Sequence, residues 1–252
     1  MRLEDLKSKP EYSFLENPIL KDRLILLCVS GSKSHGTDTK DSDIDIRGCR
    51  MPSEAELYGL KDKESGTYVD NNTDTTIYTF HRFVKLCCKA NPNIIESLGV
   101  RDEDVLFASY TGHLLLKNRK MFLSKNAVYH AYGGFARRES VQIKHKEDNS
   151  RGVDFLRFAK QMMQLVRLLK LGTEILKTGD IRTYRGDDIE LLMKIRYGIY
   201  LDSELRIHDG YWKLVDSCFR DFENAYSESV LPENVDMDKI EKFVIERAKK
   251  WK

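Results

Sequence analysis

The apolar run Arg23–Ser30 (RLILLCVS) stops at Gly31-Ser32, and the chain then crowds Asp41, Asp43 and Asp45 into the stretch VSGSKSHGTDTKDSDIDIRG, Val29 to Gly48. Like charges held that close repel. At roughly 7 Å and an effective dielectric of about 20, one pair costs on the order of 2 kcal/mol. Either water screens the cluster or a bound cation offsets the repulsion. An apolar strand, a small-residue turn and an alternating acidic strand are hard to place in anything but an α/β unit.

The rest of the chain sets the frame for that stretch. With 252 residues it buries a full core, as one large domain or two compact ones. Hydrophobic residues at 41% and charged residues at 33% exclude a disordered chain. The formal net charge is only +2, so any anionic partner has to be met by a local basic patch. No apolar run reaches the length of a membrane span, and the opening MRLEDLKSKPEYSF does not resemble a signal peptide. The five cysteines, Cys28, Cys49, Cys87, Cys88 and Cys218, include no C-x-x-C spacing, so reduced thiols in a cytoplasmic protein are expected and a zinc site is not.

The secondary-structure signal changes near residue 100, which divides the chain into an expected α/β domain at 1–100 and a helical domain at 101–252. In the first, RLILLCVS, SDIDIRG and TTIYTF read as strands. Phe80–Ala90 reads as a helix stopped before Pro92, and Asn93 with Glu96 as a capping box. In the second, Ser124 caps a helix running to about His145, interrupted at Gly133-Gly134, and EDNSRG makes a polar loop. Further helices are expected at about Val153–Thr178, with Phe155, Met162, Leu165, Val166, Leu169 and Ile175 on one face, at Asp188–Leu201, and from Asp236 onward.

On a strand, Asp43 and Asp45 share one face while Ile44 and Ile46 point to the core. Two hard-oxygen ligands on a rigid element suit hydrated Mg²⁺, singly or as a pair of ions. Gly31 allows close backbone approach, and successive N–H groups in such a turn cradle phosphate. Together these point to nucleoside triphosphate chemistry, in which catalysis is positioning and charge neutralisation of an in-line displacement. D-x-D alone is common in loops, and an EF-hand is excluded by spacing. The ordered set carries the signal.

GSKSHGTDTKDSDIDIRG resembles the signature of the DNA polymerase β-type nucleotidyltransferase superfamily, and its SHGT, SDID and RG elements look like the RNA-ligase-associated branch found in bacteria and phages. The likeness continues in FHRFVKLCCKANPNIIESLG and, more loosely, in LVRLLKLGTEILKTGDI and IRYG. The resemblance implies a small mixed sheet followed by an all-helical part, Mg²⁺ dependence, and transfer of a nucleoside monophosphate from an NTP with release of pyrophosphate. It implies that Gly31 and Ser32 hold the triphosphate and that Asp43 and Asp45 bind metal. The superfamily adds a third carboxylate on a neighbouring strand, for which Asp74 is the candidate and Asp70 the fallback. An RNA or tRNA end is the acceptor that fits this branch. A protein hydroxyl or a small molecule is the alternative.

Several neighbours carry two readings. Lys33 and Arg47 either contact phosphates or balance the aspartates. His35 bonds a phosphate or braces the loop, and Asp41 caps the turn. Tyr129, Tyr132, Arg137 and Arg138 in YHAYGGFARRES would stack a base and meet phosphates, or form an ordinary amphipathic surface. Arg167 sits in apolar QLVRLLKL and either pairs with an acid or, as expected here, faces the nucleotide cleft between the halves with Lys160 two turns earlier; RTYRGDD lines the same cleft or is a solvated turn. The rival functions are a non-catalytic nucleotide- or RNA-binding module and a protein-modifying or toxin–antitoxin-type relative on the same scaffold.

Overall fold

The computed structural model describes residues 3–59, 67–149 and 152–251, and the chain forms two compact units. One gathers Met1–Leu123, Ile181–Tyr184 and Val235–Lys252; the other gathers Ser124–Asp180 and Arg185–Asn234. The boundary expected at residue 100 falls at Leu123 instead. A fifth strand and the helix after it, both beyond residue 100, belong to the first unit's sheet.

The first unit opens with helices α1 (Leu3–Lys7) and α2 (Pro18–Lys21) and is built on strands β1 (Leu24–Ser30), β2 (Asp45–Arg50), β3 (Thr67–Asp70), β4 (Thr75–Thr79) and β5 (Val105–Ala108). They form one mixed sheet of order β3-β4-β2-β1-β5. β1 runs antiparallel to both neighbours, β2 pairs parallel with β4, and β3 closes the edge antiparallel to β4. Covered on both faces, β1 reads as a continuous apolar run, and six of its seven residues are buried. Leu27, Val29, Ile46, Ile77 and Leu106 meet the amino-terminal Leu6, Tyr12, Leu15 and Leu20 on one face. The helices are α3 (Gly31–His35), α4 (Glu54–Tyr58), α5 (Phe80–Cys88), α6 (Pro92–Ile95) and α7 (Tyr110–Lys117). Of these, α5 packs on β2 and β4, and α7 packs on β1 and β5. All five cysteines are free thiols, and burial pushes Cys49 and Cys87 well above the usual thiol range.

Helix α4 begins with a capping box. Ser53 accepts from the Glu56 N–H, and the Glu56 carboxylate accepts from the Ser53 N–H. That carboxylate also takes a two-pronged contact from buried Arg50, at 2.8 and 2.5 Å. The Arg50 hydrogen bonds hold the Glu56 carboxyl at about 2, against an ordinary 4.5. A lowered folded-state value stabilises above the ordinary value and is lost as pH falls through the lowered one. Between about pH 4.5 and 2 the parent should therefore lose about 1–2 kcal/mol more than Glu56→Gln, after solvent screening is allowed for, as read by thermal melts across that range.

The second unit is helical: α8 (Lys125–Val128), a π-turn (Tyr129–Gly133), α9 (Gly134–Asp148), α10 (Phe155–Thr178), α11 (Ile189–Arg196) and α12 (Asp209–Ser227). The closing helix α13 (Met237–Lys249) belongs to the first unit. Ser124 caps α8 as expected, accepting from the Ala127 N–H. The break expected at Gly133-Gly134 is the π-turn, where the backbone widens by one residue. A Cβ at Gly133 or Gly172 would press on the Phe222 ring, so these glycines set how closely the π-turn and α10 approach α12. α10 is capped by Asp154 and ended by Gly179 at φ 65°. It is buried nearly all round rather than on one stripe, because α9, α11 and α12 all pack on it.

Helix α12 fills a stretch for which the sequence pattern predicts no element. Its buried positions, Tyr211, Val215, Cys218, Phe222 and Ala225, keep helical spacing with aromatic and thiol groups in place of aliphatic ones. The polar loop expected at 147–152 includes Ser150 and Arg151, which lie outside the described residues. Among the described residues no helix is long and apolar enough to cross a membrane.

Candidate active site

The site begins where β1 ends. Ser30 is extended and Gly31 turns into α3 with φ +63°, a conformation that side chains disfavour. Across the antiparallel pair, Ser30 faces Asp45. The Asp45 carboxylate reaches back over the turn, so that a Cβ on Gly31 would collide with its Oδ2. The glycine is thus required twice, by its backbone angle and by the acid lying on it. The turn's first N–H groups have no acceptor within α3, as at any helix start. Behind them the loop is tight: the Ser34 hydroxyl donates to the Gly31 carbonyl at 3.0 Å. The Thr37 N–H donates to the Ser32 carbonyl at 2.9 Å, and Gly36 ends the helix in the left-handed region. Ser32 is buried.

His35 closes this loop from beneath. Its Nε2 lies 2.7 Å from Glu96 Oε2, and both side chains are buried. The capping box expected at Asn93 and Glu96 is absent. Asn91 is the N-cap of α6, accepting from the Asn93 N–H, and the Glu96 carboxylate turns to His35 instead. The signal was present in the sequence, since an acid inside NIIESLG must find a partner when buried. Thr183 adds a second tie, its hydroxyl donating to the Glu96 carbonyl at 2.5 Å and its N–H to the Gly99 carbonyl at 3.0 Å.

β2 begins at Asp45, so Asp43 precedes the hydrogen-bonded ladder instead of lying on it. The alternation still holds in packing, because Ile44 and Ile46 both meet the core. Asp41 and Asp43 are exposed and Asp45 is half-buried. The turn before them is closed by Thr39 and Ser42, not by Asp41: the Thr39 N–H donates to the Ser42 hydroxyl at 2.8 Å.

The flanking cations are engaged locally. Lys33 pairs with Asp38 at 3.6 Å. Arg47 pairs with Asp74 at 3.1 Å and also donates to the Asp74 and Ile46 carbonyls. Asp74 stands at the head of β4, beside the head of β2, with φ 42°. Asp70 is occupied in the β3–β4 turn, accepting from the Thr73 N–H and hydroxyl.

Exposed Asp43 and half-buried Asp45, the latter lying on the Gly31 turn, are oxygen donors of the kind that suits a hydrated hard cation. The third acid is not gathered with them. Among the described residues no three His, Cys, Asp or Glu side chains are grouped to hold a metal. Asp74 is paired through Oδ1 with Arg47.

Arg167 and Lys160 lie in the second unit, on α10. Arg167 is buried and its Nε donates to Gln164 at 2.6 Å, whereas Lys160 is exposed. In RTYRGDD, Arg185 is buried against Glu174 and Asp188 at 2.7 and 2.8 Å, an internal ion-pair network. YHAYGGFARRES is divided by the π-turn. Tyr132 is core, Tyr129 stacks between Phe222 and Tyr226, and Arg137 and Arg138 are exposed.

No curated protein matches the chain. The family model of the RNA repair pathway DNA polymerase beta family matches residues 3–185. That span is well over half of the chain and includes the whole sheet, the Gly31 turn, all the acids of the site and α10. The chain therefore belongs to the RNA repair pathway DNA polymerase beta family, a group of polymerase β-type nucleotidyltransferases.

Proposed function

We propose that this protein is a Mg²⁺-dependent nucleotidyltransferase that moves a nucleoside monophosphate from an NTP to a terminal hydroxyl of RNA or tRNA. The acceptor oxygen bonds to the α-phosphorus, the bond from that phosphorus to the bridging oxygen breaks, and pyrophosphate leaves. One observation carries the reading: the Asp45 carboxylate rests on the Gly31 turn, so metal-ligand chemistry and phosphate-binding backbone share one place. The Gly31 and Ser32 N–H groups receive triphosphate oxygens, while the missing Cβ at Gly31 leaves room for the Asp45 carboxylate beside them. Asp43 and Asp45 hold Mg²⁺, which when bound supplies neutralisation of the phosphate charge. His35 keeps the turn in place through Glu96 and touches no substrate.

The Arg47–Asp74 pair favours one rival, a binding module that holds nucleotide or RNA without turnover, because the third acid is committed to a guanidinium. Incubation with Mg²⁺ and each α-phosphate-labelled NTP, with total RNA present or withheld, separates the readings. Label in RNA that Asp43→Ala removes supports the proposal. Label in protein moves the acceptor to a protein hydroxyl. No label anywhere, with NTP still bound in calorimetry, puts the module first.

A further inference from the structure

The near-neutral chain needs a local basic surface if it is to hold RNA, and α9 has one. The helix has only two buried positions, Ala136 and Ile143. Two of its three acids are spent inward. Glu139 accepts from Gln161 at 2.8 Å, and Glu147 accepts from the Ile207 N–H at 2.9 Å. The outward arc holds Arg137, Arg138, Val141, Lys144 and His145, all exposed, with an acid, Asp148, only at its end. The cations on this arc are not loose. Arg138 lies over the Phe135 ring at 4.4 Å, Lys144 over Trp212 at 4.9 Å and Arg137 over Tyr129 at 5.3 Å.

We infer that this arc of α9 is a docking surface for the backbone of a single RNA strand. Cations laid on aromatic faces are held in place to meet phosphates, and the outer face of an exposed guanidinium plane such as that of Arg138 takes a base or ribose. Arg137 shares its charge with Glu223 at 2.9 Å, whereas Arg138 and Lys144 enter no ion pair among the described residues. Those two are therefore the principal phosphate contacts. Arg138 to His145 spans about 10 Å along the helix, enough for successive phosphates of one strand. An acidic protein segment would use the charges but not the stacking face of the guanidinium. The inference rests on RNA being the acceptor in the proposed function and names where that RNA is held.

The test uses the full chain, a fluorescein-labelled single-stranded RNA oligonucleotide and anisotropy titrations between about 50 and 200 mM KCl. Arg138→Gln combined with Lys144→Gln is expected to weaken binding about tenfold at the low-salt end. It should also flatten the slope of log K against log[salt] by about 1.4, since each single-strand phosphate contact contributes about 0.7. Circular dichroism checks that the double variant is folded, which exposed positions favour, and calorimetry checks that it binds Mg²⁺ and NTP like the parent.

Unchanged affinity and slope overturn the inference, even if the parent labels RNA and the proposed function stands. Absence of RNA binding by the parent at low salt overturns it too. So does a polyglutamate peptide that binds through Arg138 and Lys144 while RNA does not. Conversely, RNA binding that loses the stated slope in the variant, with no NTP turnover by the parent, upholds the surface and removes only the catalytic reading.

Discussion

Asp45→Asn is expected to reduce nucleotide transfer on the order of a thousandfold while leaving the fold intact. Asparagine has the shape of aspartate, so the side chain still rests on Gly31 and the Ser30–Asp45 register is kept. Only the negative charge is lost. A neutral amide oxygen binds Mg²⁺ far more weakly than a carboxylate, and nothing else in the described turn supplies the missing charge at that position. The amide keeps an oxygen acceptor where the carboxylate had one, so the variant should still melt as a folded protein. Asp41→Asn is the matched control: it removes an exposed acid from the same loop and should leave turnover within about twofold. Transfer assays and melts on the two variants check both statements. A collapsed fold in Asp45→Asn would make the acid structural.

The second large effect is on stability. Glu96→Ala should lower the melting temperature by about 8–15 °C, since breaking a buried hydrogen-bonded pair of this kind costs about 3–5 kcal/mol. His35 and Glu96 are both buried at 2.7 Å and lie 61 positions apart, so the pair clamps α3 to the α6 region. Without it the His35 ring faces a cavity and the Gly31 turn loses its support from below. NTP binding should weaken along with stability. Glu96→Gln, which keeps an oxygen acceptor for the ring N–H, should recover part of both. A melt within about 2 °C of the parent for Glu96→Ala would show that the clamp contributes little.

The parts of this site that were legible in the sequence are those set by near neighbours. The apolar run of β1, the alternation at Ile44 and Ile46, the Ser124 cap and the Gly179 stop each follow from residues a few positions apart. Pairings across long separations were not legible. Nothing local says that Glu96 serves His35, that Arg47 holds Asp74, or that Thr183 returns to Gly99. The parallel β2–β4 pairing creates the Arg47–Asp74 contact, and it depends on where the 51–74 connection carries the chain. Helix α12 escaped for a different reason. Its inward face is made of Tyr211, Cys218 and Phe222 set among charges, which hides a regular period from an aliphatic pattern.

The central claim is that the α-phosphate, and no other part of the nucleotide, is passed to an acceptor over the Asp43–Asp45 pair. It is tested most directly by running the reaction in parallel with α-labelled and γ-labelled NTP, Mg²⁺ and RNA, and following both labels. The α label is predicted to become covalently attached to RNA while the γ label leaves as pyrophosphate in equal amount, with both events lost in Asp45→Asn. A γ label transferred to the acceptor, or pyrophosphate released with no α label attached to anything, would contradict it.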